Sequence, residues 1–265
     1  MSTADAFARA RAEGRSALVG YLPAGFPDLA GSVTALRAMV DAGCDVIEVG
    51  LPYSDPVMDG PTIQAAAQQA LEAGTRTADV LRTVEAVAAT GVPTVVMTYW
   101  NPVSRYGVER FAKDLADAGG AGLITPDLVP DEAETWIGVA DEHDLDKVFL
   151  VAPSSTDERL RMTAQACRGF VYATAVMGVT GARESSSDLA GPLVSRTRAV
   201  TALPVGVGLG VSTGRQAAEV AAFADGVIVG SAFVRRLLDA GTDRQAGITS
   251  LGELTRELAA GVRGA

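Results

Sequence analysis

The chain has 265 residues, which corresponds to one or two domains at about 150 residues per domain, and its 48% of apolar residues can fill a sizeable core. Twenty-two basic and 32 acidic residues give a net charge of −10, the opposite of what a nucleic-acid groove or an anionic membrane surface attracts. The chain has one histidine, His143, and two cysteines, too few for a His-rich or Cys-rich zinc site, so we expect neither a metal nor a cofactor.

Eight short apolar runs rich in β-branched residues recur along the chain, each followed by a longer Ala-rich segment with helical periodicity. Near-continuous apolar runs are typical of parallel strands that are covered on both faces. In chain order the predicted strands are Ala17–Leu22, Asp45–Val49, Thr94–Tyr99, Gly122–Thr125, Lys147–Val151, Phe170–Thr174, Val205–Val207 and Gly226–Val229.

The segments between the strands carry helix start and stop signals. Ser155 to Glu158 form a predicted capping box for the helix after strand 5, and Ser212 is the predicted N-cap after strand 7. The remaining predicted helices are Leu29–Ala42, Ala78–Thr90 and the ranges 61–74, 104–118, 131–142, 188–200 and 243–260.

Eight such units without a linker predict an α/β fold, a single (β/α)8 TIM barrel over residues 1–265, with an extra N-terminal helix and additional helices after strands 2 and 8. A doubly wound open sheet is the alternative. In both folds the active site lies beyond the C-terminal ends of the strands. Residues 1–20 lack the apolar core of a signal peptide and no apolar run is long enough to span a membrane, so a cytoplasmic protein is expected.

The densest group of chemically useful residues follows the second strand. Side chains alternate along a strand, so if Ile47 and Val49 face the helices, Glu48 points into the barrel near its rim. A carboxyl group there has a perturbed pKa suited to acid–base chemistry, or it belongs to a buried Glu–Arg pair. The long loop that follows carries Asp59, which either faces the same substrate as Glu48 or caps the helix that starts at Pro61.

Two glycine-bearing loops, 206–212 and 230–231, follow the seventh and eighth strands, where barrels often hold phosphate on backbone N–H groups. The loop 177–188 after the sixth strand has the composition of a lid or of an ordinary mobile surface loop. Tyr172 either presents a hydroxyl to the same cavity or is a buried core tyrosine. Lys147 and Lys113 are poorly placed for Schiff-base chemistry. The reaction type that remains after these exclusions is cofactor-free acid–base chemistry, carried out by carboxylates on a phosphorylated substrate.

These residues also form a recognisable set. The segment 48–64, EVGLPYSDPVMDGPTIQ, closely resembles the signature of the tryptophan synthase alpha chain family, and further landmarks follow in family order along essentially the whole chain. The landmarks are the segments 22–28, 100–102, 126–128, 178–181, 208–212 and 230–231 together with Tyr172.

The resemblance implies retro-aldol cleavage of indole-3-glycerol phosphate to indole and glyceraldehyde 3-phosphate in tryptophan biosynthesis. It implies that Glu48 is the acid–base, that Asp59 interacts with the indole N–H and that Tyr172 orients these groups. The substrate-binding residues implied are Tyr21, Thr180, Gly181, Leu209, Gly210, Gly230 and Ser231. Tyr21 and Leu209 stand where many relatives place phenylalanine.

The resemblance also implies a partner, the pyridoxal-phosphate-dependent beta chain, in an alpha2beta2 heterotetramer. The implied interface residues are Pro52, Asp55, Asn101 and Pro130. Three alternatives remain open on sequence alone: a phosphate-binding barrel of another chemistry such as a phospho-sugar isomerase, a non-catalytic partner-binding scaffold, and a lyase that releases indole without a partner.

Overall fold

The computed structural model describes residues 1–174 and 187–264, and within these ranges eight strands form a closed parallel barrel. Each strand pairs with the next along the chain and β1 pairs with β8, which confirms the predicted (β/α)8 barrel and makes the doubly wound sheet wrong. The strands are β1 (Ala17–Pro23), β2 (Val46–Gly50), β3 (Thr94–Met97), β4 (Gly122–Thr125), β5 (Asp146–Val151), β6 (Val171–Thr174), β7 (Val205–Gly208) and β8 (Gly226–Val229).

Helices surround the barrel, and the predicted extra helices are present before β1, after β2 and after β8. Within the described residues no helix is both long enough and apolar enough to cross a membrane. The helices are α1 (Thr3–Ala12), α2 (Leu29–Asp41), α3 (Pro61–Glu72), α4 (Thr77–Ala88), α5 (Trp100–Tyr106), α6 (Val108–Asp117), α7 (Glu134–Glu142), α8 (Asp157–Ala166), α9 (Ser187–Arg198), α10 (Gly214–Ala221), α11 (Ser231–Ala240) and α12 (Arg244–Arg263).

Some local predictions were wrong in detail. The predicted helix 104–118 is two helices, α5 and α6, because Gly107 between them adopts a φ of 97°, which breaks the helical path. The N-cap of α8 is Thr156, whose hydroxyl accepts from the Arg159 N–H at 3.2 Å, so the third helical position is arginine and no capping box forms.

The N-cap after β7 was also predicted one residue too early. Thr213, not Ser212, caps α10 and accepts from the Gln216 N–H at 3.3 Å. The Ser212 hydroxyl instead donates to Oε1 of Gln216 at 3.1 Å. Pro130–Glu132 form a short 3-10 helix ahead of α7, so that the range predicted as one helix over 131–142 is divided.

The barrel interior is apolar at its N-terminal end. Its cluster contains Val19, Val46 and Val148, and α1 lies beneath it with Phe7 stacked on Phe170 at 5.0 Å between ring centroids. Phe7 is 3% exposed, so α1 closes this end of the barrel with a buried aromatic side chain.

Hydrogen bonds to one buried carboxylate hold α1 in place. Asp146, the first residue of β5, is fully buried and accepts from the Thr3 N–H at 2.7 Å and from the Thr3 hydroxyl at 2.6 Å. The Ser2 hydroxyl donates to the same carboxylate at 3.0 Å. The N-cap and first residue of α1 thus supply hydrogen bonds to the buried carboxylate of Asp146, and these hydrogen bonds anchor α1.

We expect Phe7→Ala to lower the free energy of unfolding by about 3–5 kcal/mol, because a buried phenylalanine at the base of the barrel is replaced by a cavity. Leu29→Ala, at a position that is 39% exposed, is the matched control and should cost less than about 1 kcal/mol. Urea unfolding followed by circular dichroism measures both. Equal losses in the two variants would show that α1 is not an integral part of the core.

Candidate active site

Strand alternation brings one set of side chains to the C-terminal rim of the barrel. On β1, Val19 belongs to the interior cluster, and Tyr21, two residues further on, faces the same way. On β2 the same step leads from Val46 to Glu48, and the register places Tyr21 directly beside Glu48.

These side chains line a cavity that encloses about 1020 Å³ of space, part of it open to solvent. Its walls combine apolar side chains with carboxyl and hydroxyl groups. The lining residues are Tyr21, Glu48, Leu51, Asp59, Ile63, Met97, Thr98, Tyr99, Pro126, Tyr172, Thr174, Gly208, Leu209, Gly210, Ile228, Gly230 and Ser231.

Glu48 is 1% exposed, and neither of its carboxyl oxygens has a hydrogen-bond partner among the described residues. The Glu–Arg pair considered from the sequence is therefore wrong. Burial disfavours the charged form and raises the pKa of Glu48 from 4.5 to about 8. At neutral pH this carboxyl group holds a proton that it can donate, which suits a general acid.

Two tyrosines, Tyr21 on β1 and Tyr172 on β6, line the cavity together with Glu48, and each packs against a glycine on a neighbouring strand. A Cβ at Gly50 would lie 2.3 Å from the Tyr21 hydroxyl oxygen, and one at Gly208 would lie 2.5 Å from the Tyr172 hydroxyl oxygen. Burial, reinforced by the nearby Glu48 carboxyl group, raises the pKa of both phenols well above the ordinary value. Both hydroxyls are therefore neutral donors at the pH at which Glu48 is protonated.

Asp59 reaches the same cavity from the loop that follows β2. It does not cap α3, because the N-cap is Gly60 and no side chain accepts a hydrogen bond there, so that alternative is wrong. The Tyr99 side chain hydrogen-bonds to the Asp59 carboxylate. Burial raises the pKa of Asp59, and the hydrogen bond from Tyr99 counteracts part of that increase.

Tyr99 is the functional residue that the sequence reasoning missed. It was counted as the last residue of the third strand, whereas it lies just beyond the end of β3 and serves as the residue before α5. Its hydroxyl oxygen accepts from the Met58 N–H at 2.9 Å. The signal was available in the alternation, since Tyr99 has the same parity as the interior residues Val95 and Met97.

The two glycine loops that the sequence analysis singled out both line the cavity. Gly208 ends β7, Leu209 and Gly210 follow it, and Gly230 with Ser231 forms the start of α11. The N-terminus of α11 has no side-chain cap, which leaves its first turn to be satisfied by a ligand. Neither lysine nor arginine is among the described residues that line the cavity, so backbone amides and the helix dipole are the groups available for a phosphate.

Two predicted substrate-binding residues, Thr180 and Gly181, lie outside the described residues, as does most of the predicted lid. The four predicted interface residues lie at the same end of the barrel as the cavity: Pro52 and Asp55 are on the loop after β2, Asn101 is in the first turn of α5, and Pro130 begins the 3-10 helix after β4. Asp55 and Asn101 are exposed, Pro130 is half-buried and Pro52 is buried.

The two lysines and the one histidine of the chain do not line the cavity. Lys147 pairs with Asp141 near the start of β5, and Lys113 pairs with Asp117 at 2.5 Å on α6. His143 is the C-cap of α7. Across the described part of the chain, no three histidine, cysteine, aspartate or glutamate side chains are grouped as metal ligands would be.

The buried carboxyl group of Glu48 should make stability depend on pH. Because the pKa of Glu48 is higher in the folded chain than the ordinary 4.5, the folded protein keeps a proton that the unfolded chain loses between pH 4.5 and about 8. The free energy of unfolding therefore falls as pH rises through this range. We expect Glu48→Gln to match the wild type near pH 4.5 and to exceed it above pH 8 by up to several kcal/mol, at about 1.4 kcal/mol per pKa unit.

Urea unfolding at pH 4.5, 6, 7.5 and 9 measures this difference. Glu85→Gln, on the exposed face of α4, is the control and should follow the wild-type curve throughout. A constant difference between Glu48→Gln and wild type at all four pH values would contradict the buried, neutral state of Glu48.

Comparisons with known proteins agree with this geometry. A family model described as tryptophan synthase alpha chain matches residues 7–263. The tryptophan synthase alpha chain of Salinispora tropica is 66% identical over 258 residues, covering 97% of this chain and 96% of the relative. The solved structure of Mycobacterium tuberculosis tryptophan synthase superposes with a TM-score of 0.91 at 57% identity and 98% coverage of both chains. The alpha subunit from Legionella pneumophila gives the same TM-score at 31% identity, covering 100% of both chains. The chain therefore belongs to the tryptophan synthase alpha chain family.

Proposed function

We propose that Glu48 and Asp59 are the catalytic carboxyl groups of this chain and that Tyr172 orients them. The reaction is that of the family, the lyase reaction that cleaves indole-3-glycerol phosphate to indole and glyceraldehyde 3-phosphate in tryptophan biosynthesis. The observation that carries the assignment is that the buried carboxyl group of Glu48, which has no hydrogen-bond partner among the described residues, shares one cavity with a second carboxyl group.

In the proposed mechanism the protonated Glu48 donates its proton to C3 of the indole ring. The positive charge that develops on the ring nitrogen is stabilised by the carboxylate of Asp59, which is already in place. The Glu48 carboxylate then removes the proton from the glycerol hydroxyl next to the ring, the carbon–carbon bond breaks, and its electron pair returns to the indole. Glu48 ends the cycle protonated, as it began.

The rest of the cavity supplies binding. Gly210, Gly230 and Ser231 hold the phosphate together with Gly181, and Tyr21 and Leu209 line the pocket. Thr180 is the residue that contacts Asp59. A neutral amide cradle suits this site because an arginine or lysine beside Glu48 would lower the pKa of that carboxyl group. The proposed phosphate residues of the described chain follow β7 and β8, whereas the acid–base residues belong to β2 and the loop after it.

Residues 1–265 act as one catalytic domain in this proposal. The family and its solved relatives imply a tryptophan synthase beta chain as partner, and we propose an alpha2beta2 heterotetramer in the cytoplasm. Pro52, Asp55, Asn101 and Pro130 form the proposed docking face. Two exposed apolar side chains, Val57 (70% exposed) and Val129 (41% exposed), lie in the same loops and support this assignment.

We expect Glu48→Gln to reduce kcat by about 10³-fold or more and Asp59→Asn by about 10²-fold, because the first removes the acid–base and the second the charge that stabilises the ring cation. Release of glyceraldehyde 3-phosphate from indole-3-glycerol phosphate, measured with and without a beta chain, gives these rates. Glu85→Gln should match wild type. Failure of wild type to release product in both conditions would contradict the function, and full activity of either variant would contradict its assigned role.

We expect Asp55→Lys to weaken binding of the beta chain by about tenfold or more, since it reverses an exposed charge on the proposed docking face. Asp239→Lys, a charge reversal near the C-terminal end of α11, is the control and should leave affinity unchanged. Isothermal titration calorimetry measures both. Equal affinities for wild type and Asp55→Lys would place the partner on another surface.

A further inference from the structure

A pair of aromatic rings connects the exposed surface beside the cavity to Asp59. Tyr53, in the loop after β2, stacks at a tilt of 37° on Tyr99, with 5.3 Å between ring centroids. The hydroxyl of Tyr53 accepts a hydrogen bond from the Asn101 side-chain amide at 3.1 Å. Tyr53 is thus held from one side by Asn101 and contacts Tyr99 with its ring.

Tyr99 in turn has its hydrogen bonds directed by its neighbours. The Met58 N–H donates to the Tyr99 hydroxyl oxygen at 2.9 Å, so the remaining O–H points to its other partner, the Asp59 carboxylate. Burial raises the pKa of Tyr99 to about 12, and the phenol therefore keeps this proton at neutral pH. A neutral Tyr99 hydroxyl can donate a hydrogen bond to the Asp59 carboxylate.

The loop that carries Asp59 depends on this contact. Asp59 is the residue before the N-cap of α3 and is on a loop of ten residues between the end of β2 and the start of α3. The Tyr99 hydroxyl binds two consecutive residues of that loop, Met58 and Asp59. A displacement of the Tyr99 ring would therefore disturb the part of the loop that carries Asp59.

We propose that Tyr53 is a positioning residue for the lyase reaction, which sets the Asp59 carboxylate by holding the ring of Tyr99. The proposal rests on the catalytic role proposed above for Asp59. It assigns to Tyr53 no contact with substrate: its ring fixes Tyr99, and the Tyr99 hydroxyl fixes Asp59.

Tyr53 is distinguished from an ordinary core residue by its surroundings. It is half-buried and belongs to neither of the apolar clusters that form the core, whereas the other stacked aromatic pair at the base of the barrel, Phe7 and Phe170, is part of one. Loss of the Tyr53 ring should therefore leave the fold intact while loosening Tyr99.

The protonation of Asp59 reports the contact independently of the overall rate. The titratable groups that line the cavity with Asp59 are Glu48, Tyr21, Tyr99 and Tyr172. Of these, Tyr99 gives Asp59 its hydrogen bond, which lowers the carboxyl pKa against the effect of burial. Weakening that bond raises the pKa of Asp59, so more of the enzyme carries a protonated, inactive Asp59 at low pH.

The test compares Tyr53→Leu, which removes the ring, with Tyr53→Phe, which keeps the ring and removes only the hydroxyl. We measure kcat and KM for indole-3-glycerol phosphate across pH at saturating beta chain, and the pKa of Asp59 by ¹³C NMR of the isolated full chain. For Tyr53→Leu we expect kcat to fall about tenfold with little change in KM, and the acid limb of the kcat profile to move to higher pH. Tyr53→Phe should keep both close to wild type.

Two variants serve as references. Tyr99→Phe removes the hydrogen bond itself and should shift the acid limb at least as far as Tyr53→Leu. Tyr106→Leu removes a comparable edge-to-face pair with Phe111, 6.2 Å between centroids, on the α5–α6 hairpin and should leave the acid limb unchanged.

The proposal is overturned if Tyr53→Leu lowers kcat while the acid limb and the pKa of Asp59 stay at their wild-type values, because Tyr53 would then act only on the fold. It is also overturned if Tyr53→Phe is as impaired as Tyr53→Leu. If Asp59→Asn is inactive and Tyr53→Leu is normal, only this inference fails. If Asp59→Asn is fully active, the proposed role of Asp59 fails, and the NMR titration still decides whether Tyr53 acts on Asp59.

Discussion

The constraint on which the rest of the site depends is a carboxyl group that is buried without a hydrogen-bond partner among the described residues. Glu48 remains at the centre of the barrel because it is neutral at physiological pH, and it is neutral because no cation lies among the described cavity residues. The neighbouring side chains Tyr21 and Tyr172 are also uncharged at physiological pH, because burial raises the pKa values of their phenol groups. An arginine in any of these positions would convert a proton donor into half of an ion pair.

The same constraint explains why proton transfer and phosphate binding are assigned to different strands at the rim of the barrel. Proton transfer is assigned to β2 and its loop, and phosphate binding to the ends of β7 and β8, where amides take the place that cationic side chains would otherwise occupy. A dianionic ligand and an uncharged glutamic acid can then share one cavity. The parallel barrel makes this division possible because all eight strands end at one rim.

Most of this arrangement could be predicted from the sequence, and the gaps have physical causes. Strand periodicity placed Glu48 inside the barrel, and turn chemistry placed the glycine loops, because both depend on local spacing. Strand alternation gives Tyr99 the parity of an interior residue, but its interaction with Asp59, forty residues away in sequence, is recorded by no local pattern. The caps at Thr156 and Thr213 were missed by one residue each, since neighbouring Ser and Thr residues compete for the same position and only the backbone path decides between them.

The position of α1 at the N-terminal end of the barrel limits the paths by which substrate and products enter and leave the cavity. Because α1 seals the N-terminal end with Phe7 and is anchored there by Asp146, substrate and products share the passage at the C-terminal rim. The loop bearing Asp55 and the start of α5 with Asn101 lie at that rim. On the docking face proposed above, a second chain would cover this passage, and an apolar product would leave into the partner rather than into water. Closure of the other end by α1 would then leave one direction for the product to take.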